Sequence, residues 1–300
     1  MTESAYAAPA ATNASVYQTA AKSIVFLMAE VQTDKGPDFA AIGTGFFVGL
    51  READRDFNYS FIVTNRHNLL EDPKREDLKK ELIYRVNNLD QETSSVKRFP
   101  LHYDGPKKNV FLGAPNEDLA VINFPHESDM HINAYDYTYL LPASKYQECD
   151  IGFGTEVFTV GLLFSYKGIK ANAPLFRYGR IAMMPSEEWY VREKGKPPEK
   201  AFLAEFNTTY GASGSPVFLV PGQWSGRQYK MFEPYIVGVV KGKMLSPEDV
   251  NDTAGNKLQG VVGWSPIGLA SIEYSQQLRN IFDGIIGQLE GQGIKIIKTP

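Results

Sequence analysis

The apolar residues of this chain come in short bursts, and that spacing limits its fold more than any other feature. "IVFLMAEVQ", "AAIGTGFFVGL", "YSFIVTNRHNL" and "DLAVINFP" each carry a short apolar run bounded by Gly, Pro, Asn or Asp. Runs of this length, punctuated in this way, read as β-strands of an all-β fold. "ELIYRVNN" and "VKRFPLHY" read as a hairpin pair. After residue 130 the pattern restarts with "EVFTVGLLF", "FRYGRIAMM", "AFLAEFN", "SPVFLV", "YIVGVVKG" and "VVGWSPIGLAS". Two successive sets of about six strands predict two six-stranded antiparallel β-barrels.

Residues 272–291 break the strand pattern. Leu278, Ile281, Phe282, Ile285, Ile286 and Leu289 recur at steps of three and four, the signature of one apolar helix face. The expectation is a terminal helix docked on a barrel, an oligomer contact being the other use of such a face. A second, short helix is expected in "SVYQTAAKS", capped by Ser15. The chain therefore divides into a disordered tail (1–13), an N-terminal barrel lobe (14–135), a C-terminal barrel lobe (136–271) and a helix with its tail (272–300). "PSEEWYVREKGKPPEK" at 185–200 reads as a charged loop or exposed hairpin.

Composition removes several function classes. A net charge of −4 over 300 residues argues against nucleic acid as a partner. One cysteine, Cys149, permits no internal disulfide and fits a reducing compartment. "MTESAYAAPAATNASVY" lacks a basic start followed by an apolar core, so it does not read as a secretory signal. No window is long and apolar enough for a membrane-spanning helix. A cytoplasmic location is expected, with no membrane partner. Four scattered histidines and one cysteine offer no metal cluster, and no cofactor is expected.

Three residues carry the chemistry. "YGASGSPVF" packs two glycines and two serines into a tight turn before a strand, with Ser213 between Ala212 and Gly214. A serine hydroxyl becomes a nucleophile only with a base in reach and an acceptor to orient that base. Of the histidines, His67 ends an apolar strand, where a side chain can face a cleft. His102, His126 and His131 lie among polar residues and read as surface positions. Asp118 in "NEDLAVINF" sits at the mouth of a buried strand and needs a partner there. Each alone has a bland explanation: a structural histidine, a turn or cap, a glycine bend. Together, in the order His67, Asp118, Ser213, they match the chymotrypsin chain order and not that of subtilisins or α/β-hydrolases. The glycine turn can also aim the amides of Gly211 and Ser213 at one point, as an oxyanion hole requires.

At these residues the chain resembles the trypsin-like serine peptidases, and especially their disulfide-free bacterial branch, which includes Deg/Htr proteases and glutamyl endopeptidases. The matching segments are "GTGFFV", "VTNRHNL", "EDLAVINF", "GTEVFTVG", "RYGRIA", "YGASGSPVF", "YIVGVV" and "PIGLAS". The resemblance implies a chymotrypsin-like two-barrel fold with the site between the lobes. It implies His67 as general base and acid, Asp118 as its orienting acceptor, and Ser213 as the residue that forms the acyl-enzyme. The oxyanion would rest on the amides of Gly211 and Ser213.

Two departures follow. Many animal members place an aspartate before the nucleophile to pair with a freed N-terminus, and here that residue is Ala212. The stretch after residue 270 is too short for a PDZ module, so regulation of that style is not expected. The resemblance maps the primary pocket onto Asn207, Thr208, Val240, Lys241, Gly242 and Lys243. It contains no acid, so a Lys or Arg preference is not expected. Val240 stands where glutamyl endopeptidases carry a histidine, while Lys241 or Lys243 offers positive charge.

The expected function is a serine endopeptidase acting on protein or peptide substrates, gated inside the cell by substrate, a regulatory protein partner or the terminal helix, in a stress or defence setting. The alternative is a catalytically silent trypsin-like fold that binds proteins; an esterase on the same machinery is a third reading.

Overall fold

A computed structural model describes residues 13–54, 58–72, 77–125, 127–163, 166–184, 201–221, 235–251 and 257–298. Of the tail expected over 1–13 only Asn13 is described, as the first residue of a helix; the rest of it, the charged segment 185–200 and His126 lie outside them. Helix α1 (Asn13–Lys22) leads into β1 (Ile24–Thr33), so Ser15 falls within its first turn and not at its cap. β1 is buried over its first five residues and reaches the surface over its second half. It turns at Gly36, where φ is +106°, into the long β2 (Gly36–Arg51).

The N-terminal lobe continues with β3 (Asn58–Thr64), β4 (Glu81–Asn87), β5 (Ser94–Pro100), β6 (Val110–Leu112), β7 (Ala120–Asn123) and β8 (Tyr135–Asp136). β4 and β5 form the expected hairpin, in register from Glu81↔Pro100 to Asn87↔Ser94. The expected six-stranded barrel is not there. The lobe is an eight-stranded sheet in the order β5-β4-β1-β2-β3-β7-β6, with β8 parallel to β2, curled into a half-barrel. Closure would need a ladder between β5 and β6. β6 has only three residues and β5 ends on Pro100, which has no N–H to give. The segment joining them is held as a turn, with His102 O accepting the amides of Asn109 and Val110.

The C-terminal lobe matches its expectation. After α2 (Ala143–Glu148) come β9 (Glu156–Gly161), β10 (Leu175–Met183), β11 (Ala201–Glu205), β12 (Pro216–Leu219), β13 (Ile236–Asn251) and β14 (Lys257–Tyr274). They close as a barrel in the order β10-β11-β14-β13-β12-β9. β13 and β14 run on well past their barrel neighbours as a long two-stranded arm.

The chain ends in α3 (Ser275–Gly291), on the expected apolar face. Leu278, Phe282, Ile285 and Ile286 are buried, and Ile281 and Leu289 pack at the margin. Their core cluster also holds Phe46 and Val48 of β2, Phe158 of β9 and Phe218 of β12, so it spans both lobes. Phe282 meets Phe61 edge-on at 5.3 Å, and Phe158 stacks on Phe218 at 4.9 Å. His102 and His131 are half-buried, not on the open surface; burial and nearby Lys22 push the His131 imidazole below its ordinary pKa. Among the described residues no helix is long and apolar enough to cross a membrane.

Candidate active site

β3 and β7 are antiparallel neighbours, with Thr64 opposite Ala120. The end of one therefore lies beside the start of the other. Asn65 Nδ2 and the Arg66 amide both donate to Asp118 O, at 2.8 and 3.3 Å. The chain then makes a single 3-10 turn, Arg66–Leu69, which lifts His67 toward Asp118. His67 Nδ1 is 2.5 Å from Asp118 Oδ2, and the His67 amide donates to Asp118 Oδ1 at 2.9 Å. The imidazole side chain is 40% exposed and the carboxylate 14%, so the ring opens outward over a covered acid.

Ser213 comes from the other lobe. Its loop is shaped by Gly211 and Gly214, both at φ +87°. A Cβ on Gly214 would fall 2.0 Å from Thr44 O, so glycine is required there for conformation and for space. Thr44 of β2 clamps this loop. Its amide donates to Ser213 O at 2.9 Å, and its hydroxyl donates to Gly211 O at 2.7 Å while accepting the Leu162 amide at 3.0 Å. Asn68, next to His67 in the chain, donates through Nδ2 to Ser213 O at 3.2 Å. The segments carrying His67 and Ser213 thus meet across the lobe boundary.

The Ser213 hydroxyl donates to the backbone oxygen of Lys241 at 2.9 Å. Three amides of the loop are bonded: Ala212 to Thr209 O, Gly214 to Val240 O and Ser215 to Ala212 O. Those of Gly211 and Ser213 have no hydrogen-bond acceptor among the described residues. They are the two amides that the sequence reading assigns to an oxyanion hole.

The six expected pocket residues fall on two neighbouring segments, the loop after β11 and the first half of β13. Thr208 is buried with its hydroxyl unpaired among the described residues, Asn207 is exposed, and Val240 is fully buried. The register of β13 against β14 slips between Val240 and Gly242, a bulge on Lys241. A bulge re-aims a side chain. Lys241 accordingly turns inward, its Nζ 3.8 Å from Glu273 Oε1, while Lys243 Nζ lies 4.0 Å from the centre of the exposed Tyr210 ring. Beneath the loop, Arg177 of β10 donates to Thr209 Oγ1 at 2.8 Å, and burial depresses its pKa.

Glu273 is the residue that sequence reasoning passed over. It is buried on β14, and its Oε1 accepts the Asp118 amide at 3.1 Å. Burial pushes its carboxyl up to about 7; the charges of Asp118 and Glu117 add to this, against Lys241 and the Asp118 amide. Nothing in "GLASIEYS" marks that acid as inward. Thr44 and Asn68 were also missed as supports, although both lie inside segments that carry the resemblance, "GTGFFV" and "VTNRHNL". No group of three or more His, Cys, Asp or Glu among the described residues is arranged to hold a metal ion. Neither the protein-family models nor the curated proteins contain a match to this chain.

Proposed function

We propose that this protein is a serine endopeptidase of the trypsin-like kind, with His67, Asp118 and Ser213 as its catalytic residues. The observation that carries the reading is the meeting at one lobe boundary of three parts: a histidine bonded to a covered aspartate, a serine on a two-glycine turn, and two unspent amides beside it. A structural histidine or a plain turn would explain one of these, not the set.

In this reading His67 Nε2 takes the Ser213 proton as Oγ attacks the carbonyl carbon of a peptide bond. Asp118 holds Nδ1–H and stabilises the imidazolium. The oxyanion rests on the Gly211 and Ser213 amides. Collapse expels the amine with the proton from His67, leaving an acyl-Ser213 ester. Water, deprotonated by His67, then hydrolyses that ester and restores the serine.

The bond from Ser213 Oγ to Lys241 O favours a gated form of this activity. The hydroxyl must leave that carbonyl to give its proton to His67, and an extended substrate beside β13 supplies the occasion. The same bond, if permanent, favours a silent fold that binds protein partners through this cleft. Reaction with a fluorophosphonate probe separates the two. Labelling of the wild-type chain, absent from Ser213→Ala and His67→Ala at unchanged circular dichroism, is expected. Equal labelling of wild type and Ser213→Ala, or none of either in the presence of a cleavable denatured protein, overturns the enzyme reading.

A further inference from the structure

Glu273 is the one buried acid among the described residues, its side chain 1% exposed. It stands on the C-terminal barrel yet bonds the N-terminal sheet, at the amide of the very residue that orients His67. Its Oε2 has no hydrogen-bond partner among the described residues. Burying a carboxylate in this way is costly, and an amide or an apolar side chain would fill the space without that cost. The position of the acid suggests a use.

Its neighbours supply one. Lys241 faces Glu273 Oε1 from the bulge in β13, and the backbone oxygen of the same lysine holds the Ser213 hydroxyl. Glu273 is therefore joined on one side to Asp118 and on the other, through Lys241, to Ser213. We propose that Glu273 is a positioning residue of this site: by bonding the Asp118 amide across the lobe boundary while facing Lys241, it sets how the His67–Asp118 pair stands against Ser213. The proposal rests on the catalytic reading of those three residues.

The tether is sensitive to its charge. As an anion, Glu273 accepts a charge-assisted bond from the amide and attracts Lys241; protonated, it loses both advantages. The charged groups that face it are Lys241 from β13, and Asp118 and Glu117 from the segment before β7, with His67 behind Asp118. Its register partners, Ala201 on β11 and Val239 on β13, do not ionise. Burial places the transition near neutral pH. The anionic form is the aligned one, so alignment improves as pH rises.

Two measurements test this. The first needs no activity. Amide shifts of ¹⁵N-labelled His67→Gln protein, in which no imidazole titrates at the site, are followed from pH 5.5 to 8.5 with and without Glu273→Gln. The amides of Asp118 and of Ser213 or Gly214 should move together through one inflection, and Glu273→Gln should abolish it. Movement at Asp118 alone, or an inflection that survives the substitution, overturns the proposal. The second is the fluorophosphonate labelling rate against pH in the otherwise native chain. The wild-type rate should rise through two ionisations and that of Glu273→Gln through one. The variant should be on the order of tenfold slower at pH 8 and within about twofold at pH 6, a modest loss beside the hundredfold that a 1 Å misplacement can cause. Superimposed profiles overturn the proposal. No labelling of wild type, with the amide coupling intact, overturns the catalytic reading and leaves the tether standing.

Discussion

His67 Nδ1 stands 2.5 Å from Asp118 Oδ2, and the other oxygen of that carboxylate accepts the His67 backbone amide at 2.9 Å. One acid therefore fixes both the ring and the turn that carries it. Asp118→Asn keeps the shape but offers Nδ1 an amide in place of an anion. The probe-labelling rate should fall on the order of 10⁴-fold, with the thermal midpoint little changed. A loss under about tenfold would show that Asp118 only holds the turn.

Thr44 makes a prediction from the opposite lobe. Thr44→Val keeps the volume and removes the hydroxyl, leaving Gly211 O without its donor and the Leu162 amide without its acceptor. Each buried group left unpaired costs about 1–3 kcal/mol. Urea denaturation should register that loss. Labelling should fall further than stability alone explains, because the freed carbonyl belongs to Gly211, whose amide is one of the two proposed to hold the oxyanion.

Gly214→Ala should be severe. The new methyl would have to share space with Thr44 O at 2.0 Å, and the backbone sits at φ +87°. Strain and overpacking together should cost on the order of 3 kcal/mol or more. A variant that melted with wild type would mean that the turn can relax away from β2.

Stability should depend on pH through Glu273. Its carboxyl, near 4.5 in an ordinary setting, is pushed up to about 7 by burial. Between these values the folded chain holds a proton that the unfolded chain has released, so stability falls as pH rises. The contribution is fully present below about 4.5 and gone above about 7, a difference on the order of 3 kcal/mol. Urea titrations at pH 5 and 8 should show this loss in wild type and little of it in Glu273→Gln. Parallel losses in both would assign the effect to other groups.

The three residues of the proposed site were legible because His67, Asp118 and Ser213 each lie in a short, locally distinctive segment. Strand positions were legible for the same reason, since burial on one side imposes a local pattern. Closure of a barrel is different. It depends on whether two edges far apart in sequence can form a ladder, and the failure at β5 and β6 turns on the brevity of Val110–Leu112 and on Pro100. The inward turn of Lys241 was hidden too, because a bulge is a mismatch between two strands and neither shows it alone. Glu273 falls within the stretch read as the terminal helix, 272–291; the structure instead carries β14 to Tyr274 and sets Asp118 opposite that acid.

The apolar cluster beneath α3 also restricts how the two lobes can move. Phe46, Val48, Phe158, Phe218 and Phe282 belong to one packed body drawn from both lobes. Parting the lobes as rigid halves would break into that shared core and expose apolar side chains to water. On the proposed reading, a peptide would be admitted by rearrangement of the loops around His67 and Ser213, with the shared core kept closed.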